Sequence, residues 1–222
     1  MAVQTAEYLD AIAQLPPGGK LTFYEVSWQQ YEELLSQLGD AASPRVSYDN
    51  GRLDVMSPST KHEKLKNLLH DLVLILSDEL DLDVLSLGSV TLKVEPKGKG
   101  VEADDCFYVQ HAGEIGEKDQ LDLRSDPPPD LVLEIDVSHD SSGKFQIYAA
   151  LGVPEIWRYD GSEFSLWQLS GQTYVSVSRS LAFPILTVED LAGFLSRSQT
   201  QGRKLARQHF RAWVRSVRQD RI

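Results

Sequence analysis

The chain has 222 residues, 41% of them hydrophobic, which suits one domain with a sizeable core. It has no run of about 18 apolar residues, which excludes a membrane-spanning helix, and its one cysteine, Cys106, excludes an internal disulfide or a thiolate zinc site. A net charge of −11 argues against a surface given over to polyanions.

That charge is uneven. From Arg197 onward eight Lys and Arg face one acid, Asp220, so the body stands at −18 and the tail at +7. An acidic body repels DNA unless divalent cations or a local basic surface intervene. The first residues, Met1 to Glu7, show no basic stretch leading into an apolar run, so no secretory signal is expected and the expected location is cytoplasmic.

Pro16-Pro17-Gly18-Gly19 ends any helix before it. Ser27 suits an N-cap for a helix to Leu38, because Trp28, Tyr31, Leu34, Leu35 and Leu38 recur at helical spacing. Arg45–Tyr48 and Leu53–Met56 flank Asp49-Asn50-Gly51, a hairpin signal. Ser57-Pro58-Ser59 breaks the strand, and Thr60 is expected to cap a helix to about Leu80, with a stripe of Leu65, Leu68, Leu69, Leu72, Val73 and Leu76. With Thr60 at the N-cap, Glu63 takes the third position of a capping box, which accounts for it without any function.

Val84–Leu87 and Val90–Val94 read as strands, residues 96–100 as a loop, and Asp104–Val109 as another strand. Residues 111–129 form a polar surface loop ending in Pro127-Pro128-Pro129. Leu131–Val137, rich in leucine and β-branched residues, is the central strand. Ser141–Leu151 reads as a helix closed by Gly152. Three strands follow (Glu155–Tyr159, Phe164–Leu169 and Tyr174–Ser178), turned at Asp160-Gly161 and Ser170-Gly171. Leu186 to about Leu195 is a short helix. The tail is a second one, striped by Ala206, Phe210, Trp213, Val214 and Val217. The expected organisation is an α/β domain over residues 1–196, a mixed β-sheet flanked by helices with added β-hairpins, followed by a basic C-terminal helix over 197–222. The tail's stripe fits docking on the core, a homodimer contact or a membrane surface, and a homodimer is the expected assembly.

Alternation along Leu131–Val137 puts Leu131, Leu133, Ile135 and Val137 on one face, and Val132, Glu134 and Asp136 on the other. Two carboxylates roughly 6–7 Å apart suit a hard cation. The alternative is a half-solvated strand whose outward residues are simply charged. Glu102, Asp104 and Asp105 at a strand start are ligands or turn residues. Lys144 opposes the dipole of the helix it begins, so it has either a carboxylate or phosphate partner, or a free head group in water. His62, His139 and Asp140 allow ligand or loop readings. Ser141 lacks a nucleophile elbow, and Lys97-Gly98-Lys99-Gly100 lacks the spacing of a phosphate-binding loop.

Four strings taken together carry a resemblance. They are Tyr48-Asp49-Asn50-Gly51-Arg52-Leu53-Asp54-Val55-Met56-Ser57-Pro58-Ser59 with His62; Glu102-Ala103-Asp104-Asp105-Cys106-Phe107-Tyr108-Val109; Pro129-Asp130-Leu131-Val132-Leu133-Glu134-Ile135-Asp136-Val137; and Tyr148-Ala149-Ala150-Leu151-Gly152-Val153-Pro154-Glu155-Ile156-Trp157-Arg158-Tyr159-Asp160. In order and spacing the chain resembles, over roughly residues 20–190, the bacterial Uma-two family, grouped with the PD-(D/E)XK or restriction-endonuclease-like nucleases. The resemblance implies a restriction-endonuclease-like fold and cleavage of DNA with Mg²⁺ or Mn²⁺. It places the first aspartate of the motif on Asp104, where Ala103 replaces the usual proline, and sets aside Pro129-Asp130, only four residues before Glu134. The acidic strand residue falls on Glu134. Two residues on, where the wider superfamily has lysine, this chain has Asp136, and the lysine role passes to Lys144 on the next helix. The family's helix-borne polar residue falls at His62-Glu63. The implied metal ligands are Asp104, Glu134 and the carbonyl of Ile135, with Lys144 catalytic, Glu63 in the outer shell, and His62, Glu102 and Asp136 as additional candidates. The alternative is a nuclease fold without turnover that binds DNA or protein as an adaptor.

Overall fold

The computed structural model describes residues 2–39, 44–137 and 139–219. Its first elements are helix α1 (Ala2–Ala13), strand β1 (Lys20–Phe23), helix α2 (Trp28–Leu38) and strands β2 (Arg45–Asp49) and β3 (Arg52–Met56). Helix α3 (Thr60–Leu80) follows, then β4 (Leu85–Ser86), β5 (Thr91–Val94), β6 (Lys99–Glu102), β7 (Asp105–Tyr108) and a short α4 (Ala112–Ile115). The remainder is β8 (Leu131–Ile135), α5 (Ser142–Leu151), β9 (Glu155–Tyr159), β10 (Phe164–Ser170), β11 (Thr173–Val177), α6 (Val188–Gln201) and α7 (Arg203–Gln219).

The strands form two sheets. The first, in the order β1-β3-β2-β6-β5, is antiparallel throughout. Its β2–β3 turn places Asn50 and Gly51 at positive φ, 45° and 96°, as a tight hairpin requires. Strand alternation gives this sheet two unlike faces. Leu21, Phe23, Val46, Tyr48, Leu53 and Val55 pack together in the core beneath α1 and α2. Between them Lys20, Thr22, Arg45, Ser47, Arg52 and Asp54 make a polar face, in the register Thr22↔Asp54 and Ser47↔Asp54.

The second sheet runs β11-β10-β9-β8-β7-β4, and only β8 and β9 are parallel. Parallel neighbours need a crossover, which α5 supplies. Leu131, Leu133 and Ile135 of β8 join Trp157, Tyr159 and residues of α3, α6 and α7 in one core. Val132 points the other way, to Ile147, Tyr148 and Leu151 of α5 and to Leu92 and Val101 of the first sheet. Strand β8 is therefore buried on both faces, which overturns the half-solvated reading of Glu134.

Several expectations are corrected. Helix α1 and strand β1 form where no element was expected. Lys99–Glu102 is a strand, because Gly98 at φ 59° reverses the chain there. Gly100 makes room for Tyr31, whose hydroxyl oxygen would lie 2.2 Å from a Cβ at that position. The N-cap of α3 is Ser59, whose hydroxyl accepts from the His62 N–H at 3.2 Å. The third helical position is thus His62 and not Glu63, and the expected capping box does not form.

Helix α7 lies against α3 and α6, with Ala206, Phe210 and Val214 in the core. Its arginines face α3: Arg207 meets Asp71 at 2.9 Å, Arg211 meets Asp78 and Glu79, and Arg215 meets Glu79 at 2.6 Å. Arg218 donates to the Glu79 carbonyl at 2.7 Å. The apolar stripe thus docks on the core, and much of the tail's charge is matched within the chain. Asp220 and Arg221 lie outside the described residues. No described helix is long and apolar enough to cross a membrane.

Candidate active site

Strand β7 pairs with β8 in the register Asp105↔Leu133 and Cys106↔Val132. Continuing it by one residue sets Asp104 across from Glu134. Both carboxylates are buried, each 1% exposed. The Glu134 oxygens lie 3.1 and 2.9 Å from Lys144 Nζ, and the Tyr148 hydroxyl donates to Glu134 Oε1. Lys144 and Tyr148 are four residues apart on α5 and so share a face. Lys144 Nζ also donates to the Glu102 carbonyl at 3.2 Å. The carboxylate partner left open for Lys144 is therefore Glu134, and it offsets the unfavourable helix dipole.

Asp104 Oδ2 accepts the Ile135 N–H at 2.7 Å and lies 2.8 Å from His62 Nε2. The other ring nitrogen of His62, Nδ1, lies 3.3 Å from Glu63 Oε1. These are ion-pair distances, but neither ring nitrogen is in hydrogen-bond alignment. Asp104 Oδ1 is buried and has no hydrogen-bond partner among the described residues. Glu63, about one-third exposed, is also held by Lys66 at 3.0 Å.

Burial pushes the Glu134 carboxyl up to about 7, with Lys144 opposing and Asp104 adding to the shift. Burial also acts to raise Asp104, but contact with His62 and the charge of Lys144 hold it below its ordinary value. For Lys144 burial acts downward, and the charges of Glu134 and Asp104 overcome it, so the ammonium is held above its usual range. Burial likewise lowers His62, and Asp104 followed by Glu63 more than restores it. The centre is an acidic pair with a captive cation, inside a low-dielectric floor.

The other candidates have partners of their own, although Asp136, His139 and Asp140 line the same cleft as Asp104 and Glu134. Asp136 lies beyond the end of β8, where its Oδ2 accepts the Ser141 N–H at 2.9 Å and Arg158 Nε at 2.5 Å. The Glu102 carboxylate turns to the first sheet and accepts from Val46 N–H and Thr91 Oγ1. Asp105 takes His70 and Ser86. Asp130 collects the N–H groups of Val109, Gln110 and His111, a structural staple. His139 Nε2 contacts the Gly18 carbonyl at 2.7 Å.

The acids floor a cleft of about 290 Å³. Across it stands the polar face of the first sheet, with Lys20, Arg45 and Arg52. Neither this wall nor Tyr148 was singled out from the sequence. The polar members of the hairpin alternation and the four-residue spacing of Lys144 and Tyr148 were the available signals. Among the described residues no group of three His, Cys, Asp or Glu side chains is arranged to hold a metal. The donors present are two carboxylates, one with a free buried oxygen. Oxygen donors of that number suit Mg²⁺, which keeps several waters and takes one or two carboxylates.

The fold is similar to that of a crystal structure described as "a putative nuclease belonging to DUF820" from Anabaena variabilis, with a TM-score of 0.50 and 13% identity over 74% of this chain and 96% of that one. At that identity the likeness concerns the fold alone. No curated protein matches the sequence. The model of the Uma2 family, described as "Putative restriction endonuclease", matches residues 28–198. With more than half of its length matched, the chain belongs to the Uma2 family.

Proposed function

We propose that the protein is a metal-dependent endonuclease that hydrolyses DNA phosphodiester bonds at the Asp104–Glu134 centre. The observation that carries this reading is Asp104 Oδ1, a buried carboxylate oxygen with no hydrogen-bond partner among the described residues, beside a lysine-paired glutamate at the floor of a cleft. Asp104, Glu134 and the Ile135 carbonyl would hold Mg²⁺ or Mn²⁺. Bound there, the ion supplies polarisation of a phosphodiester and a lowered pKa for water.

The chain's own residues do the rest. Lys144, fixed by Glu134 and the Glu102 carbonyl, places a cation where it orients a water or meets charge developing on phosphate. Tyr148 holds the orientation of Glu134. His62 stands against Asp104 from the first turn of α3, and Glu63 completes the outer contacts. Four Lys and Arg (Lys20, Arg45, Arg52 and Lys144) line this cleft together with five acids, Asp54, Asp104, Glu134, Asp136 and Asp140, so a bound divalent cation is what would tip its balance toward a phosphate.

The test is Mg²⁺- or Mn²⁺-dependent cleavage of plasmid, linear and single-stranded DNA. Asp104→Ala and Glu134→Ala are each expected to abolish it, and undiminished cleavage by both variants refutes the assignment. One observation favours a second reading, a nuclease fold that binds without turnover: both Glu134 oxygens are already occupied by Lys144, and Oε1 by Tyr148 as well. Absence of millimolar-or-tighter Mg²⁺ and Mn²⁺ binding by calorimetry would carry that reading instead.

A further inference from the structure

The polar face of the first sheet has a composition that the core does not explain. Lys20, Arg45 and Arg52 stand on it beside the acid Asp54, and all four line the cleft. Asp54 is the hub: its Oδ1 accepts Thr22 Oγ1 at 2.6 Å, and its Oδ2 lies 3.3 Å from Lys20 Nζ and 3.1 Å from Arg52 Nη2. The Lys20 side chain is 29% exposed and that of Arg52 is 50% exposed. Both head groups therefore stay in reach of a ligand while Asp54 fixes their direction. On this wall three cations outnumber one acid, so in a body carrying −18 it is a local positive surface for phosphates, facing the acids Asp104, Glu134, Asp136 and Asp140 across the cleft.

The floor opposite is recessed. Asp104 and Glu134 are 1% exposed, at the bottom of a cleft of about 290 Å³ between floor and wall. Duplex DNA is a stiff rod with a persistence length of about 150 bp, and bending it sharply costs several kcal/mol. A single strand has no such stiffness and threads grooves lined by cations.

We propose that the site takes a single nucleic-acid strand, and that Lys20 and Arg52 hold its backbone phosphates against the first sheet. This rests on the endonuclease reading for its chemistry but is measured by binding, so the two can fail separately. The experiment is fluorescence anisotropy of the full chain, without divalent metal, on a labelled single strand and on the duplex of the same sequence, over a salt series. Wild type is expected to bind the single strand at least tenfold more tightly. Lys20→Gln/Arg52→Gln is expected to weaken it at least tenfold and flatten the log–log salt slope by about 1.4, at roughly 0.7 per phosphate contact on a single strand. Asp54→Asn, which releases both cations, is expected to steepen the slope, a change that a merely structural role would not produce. Thermal unfolding of each variant identifies loss of fold. Duplex binding equal to or tighter than single-strand binding overturns the proposal, as does an unchanged slope in the folded double variant. Single-strand binding with these slopes but no cleavage in Mn²⁺ upholds it and removes the endonuclease reading.

Discussion

Lys144→Met and Glu134→Gln form a double-mutant cycle whose outcome depends on the pair being buried. The two charges meet at 2.9 Å, with side-chain exposures of 16% and 1%, so water screens them little. Losing one partner strands the other in a low-dielectric site. Each single substitution is expected to cost about 3 kcal/mol, the low end for a broken buried pair, because Lys144 keeps an edge in water. The double variant has no charge left to desolvate and nearly the same volume, and its expected cost is about 2 kcal/mol. The coupling is then about 4 kcal/mol, where independent sites would give none. Urea unfolding in chelator at a pH of about 8.5, above the value of about 7 for the Glu134 carboxyl so that it is ionised, followed by tryptophan fluorescence to which the buried Trp157 contributes, measures all three differences, and the slopes with urea should agree between variants. A coupling below about 1 kcal/mol would refute the argument, since that value belongs to exposed pairs.

Asp104→Asn keeps an acceptor for the Ile135 N–H but removes the charge, so Mn²⁺ binding by calorimetry is expected to vanish with the fold retained; unaltered affinity refutes the ligand assignment. Phe210→Ala is expected to cost about 3–5 kcal/mol in chemical unfolding, since the ring stacks with Trp213 and lies 5.2 Å from Phe194 within the core. Arg215→Ala, whose side chain is 62% exposed, should cost under about 1 kcal/mol. Equal losses in the two would mean that charge rather than packing seats the tail. Burial raises the carboxyl of Glu155, although the Ala182 N–H, the Trp157 indole, the Ser180 hydroxyl and the Leu181 N–H pull it down. With the folded value above the unfolded one, this group's contribution is most favourable below the unfolded value, about 4.3, and is lost as pH rises through the folded value. The stability of wild type relative to Glu155→Gln should therefore fall as pH rises from about 4, and a flat difference across that range rejects the shift.

What the sequence made legible follows physical locality. The alternation that sent Leu131, Leu133 and Ile135 one way and Glu134 the other needs only neighbouring residues, and β8 obeys it. The hairpin at Asn50-Gly51 is equally local. Register is not local: nothing in Glu102-Ala103-Asp104-Asp105 says that Asp104 will face Glu134, and only the family resemblance put the two in one site. Tyr148 illustrates the same limit. Its hydroxyl matters because of a strand that pairs elsewhere, and on α5 it reads as one more apolar position. Glu63 was misplaced by a single residue, because Ser59 and Thr60 are equally good caps by type and the backbone chose the first. Asp136 also eluded the sequence, since its partner Arg158 lies on the strand that pairs in parallel beyond the crossover.

The two-faced first sheet separates what keeps the domain folded from what meets its ligand. Leu21, Val46, Leu53 and Val55 answer to the helices beneath them, while Lys20, Arg52 and Asp54 face the cleft, where the proposed strand would meet them. Residues on one list can change without disturbing those on the other. Descendants of one ancestral chain can then diverge in what they accept by exchanging a few alternate positions along three short strands, while the carboxylate floor stays as inherited.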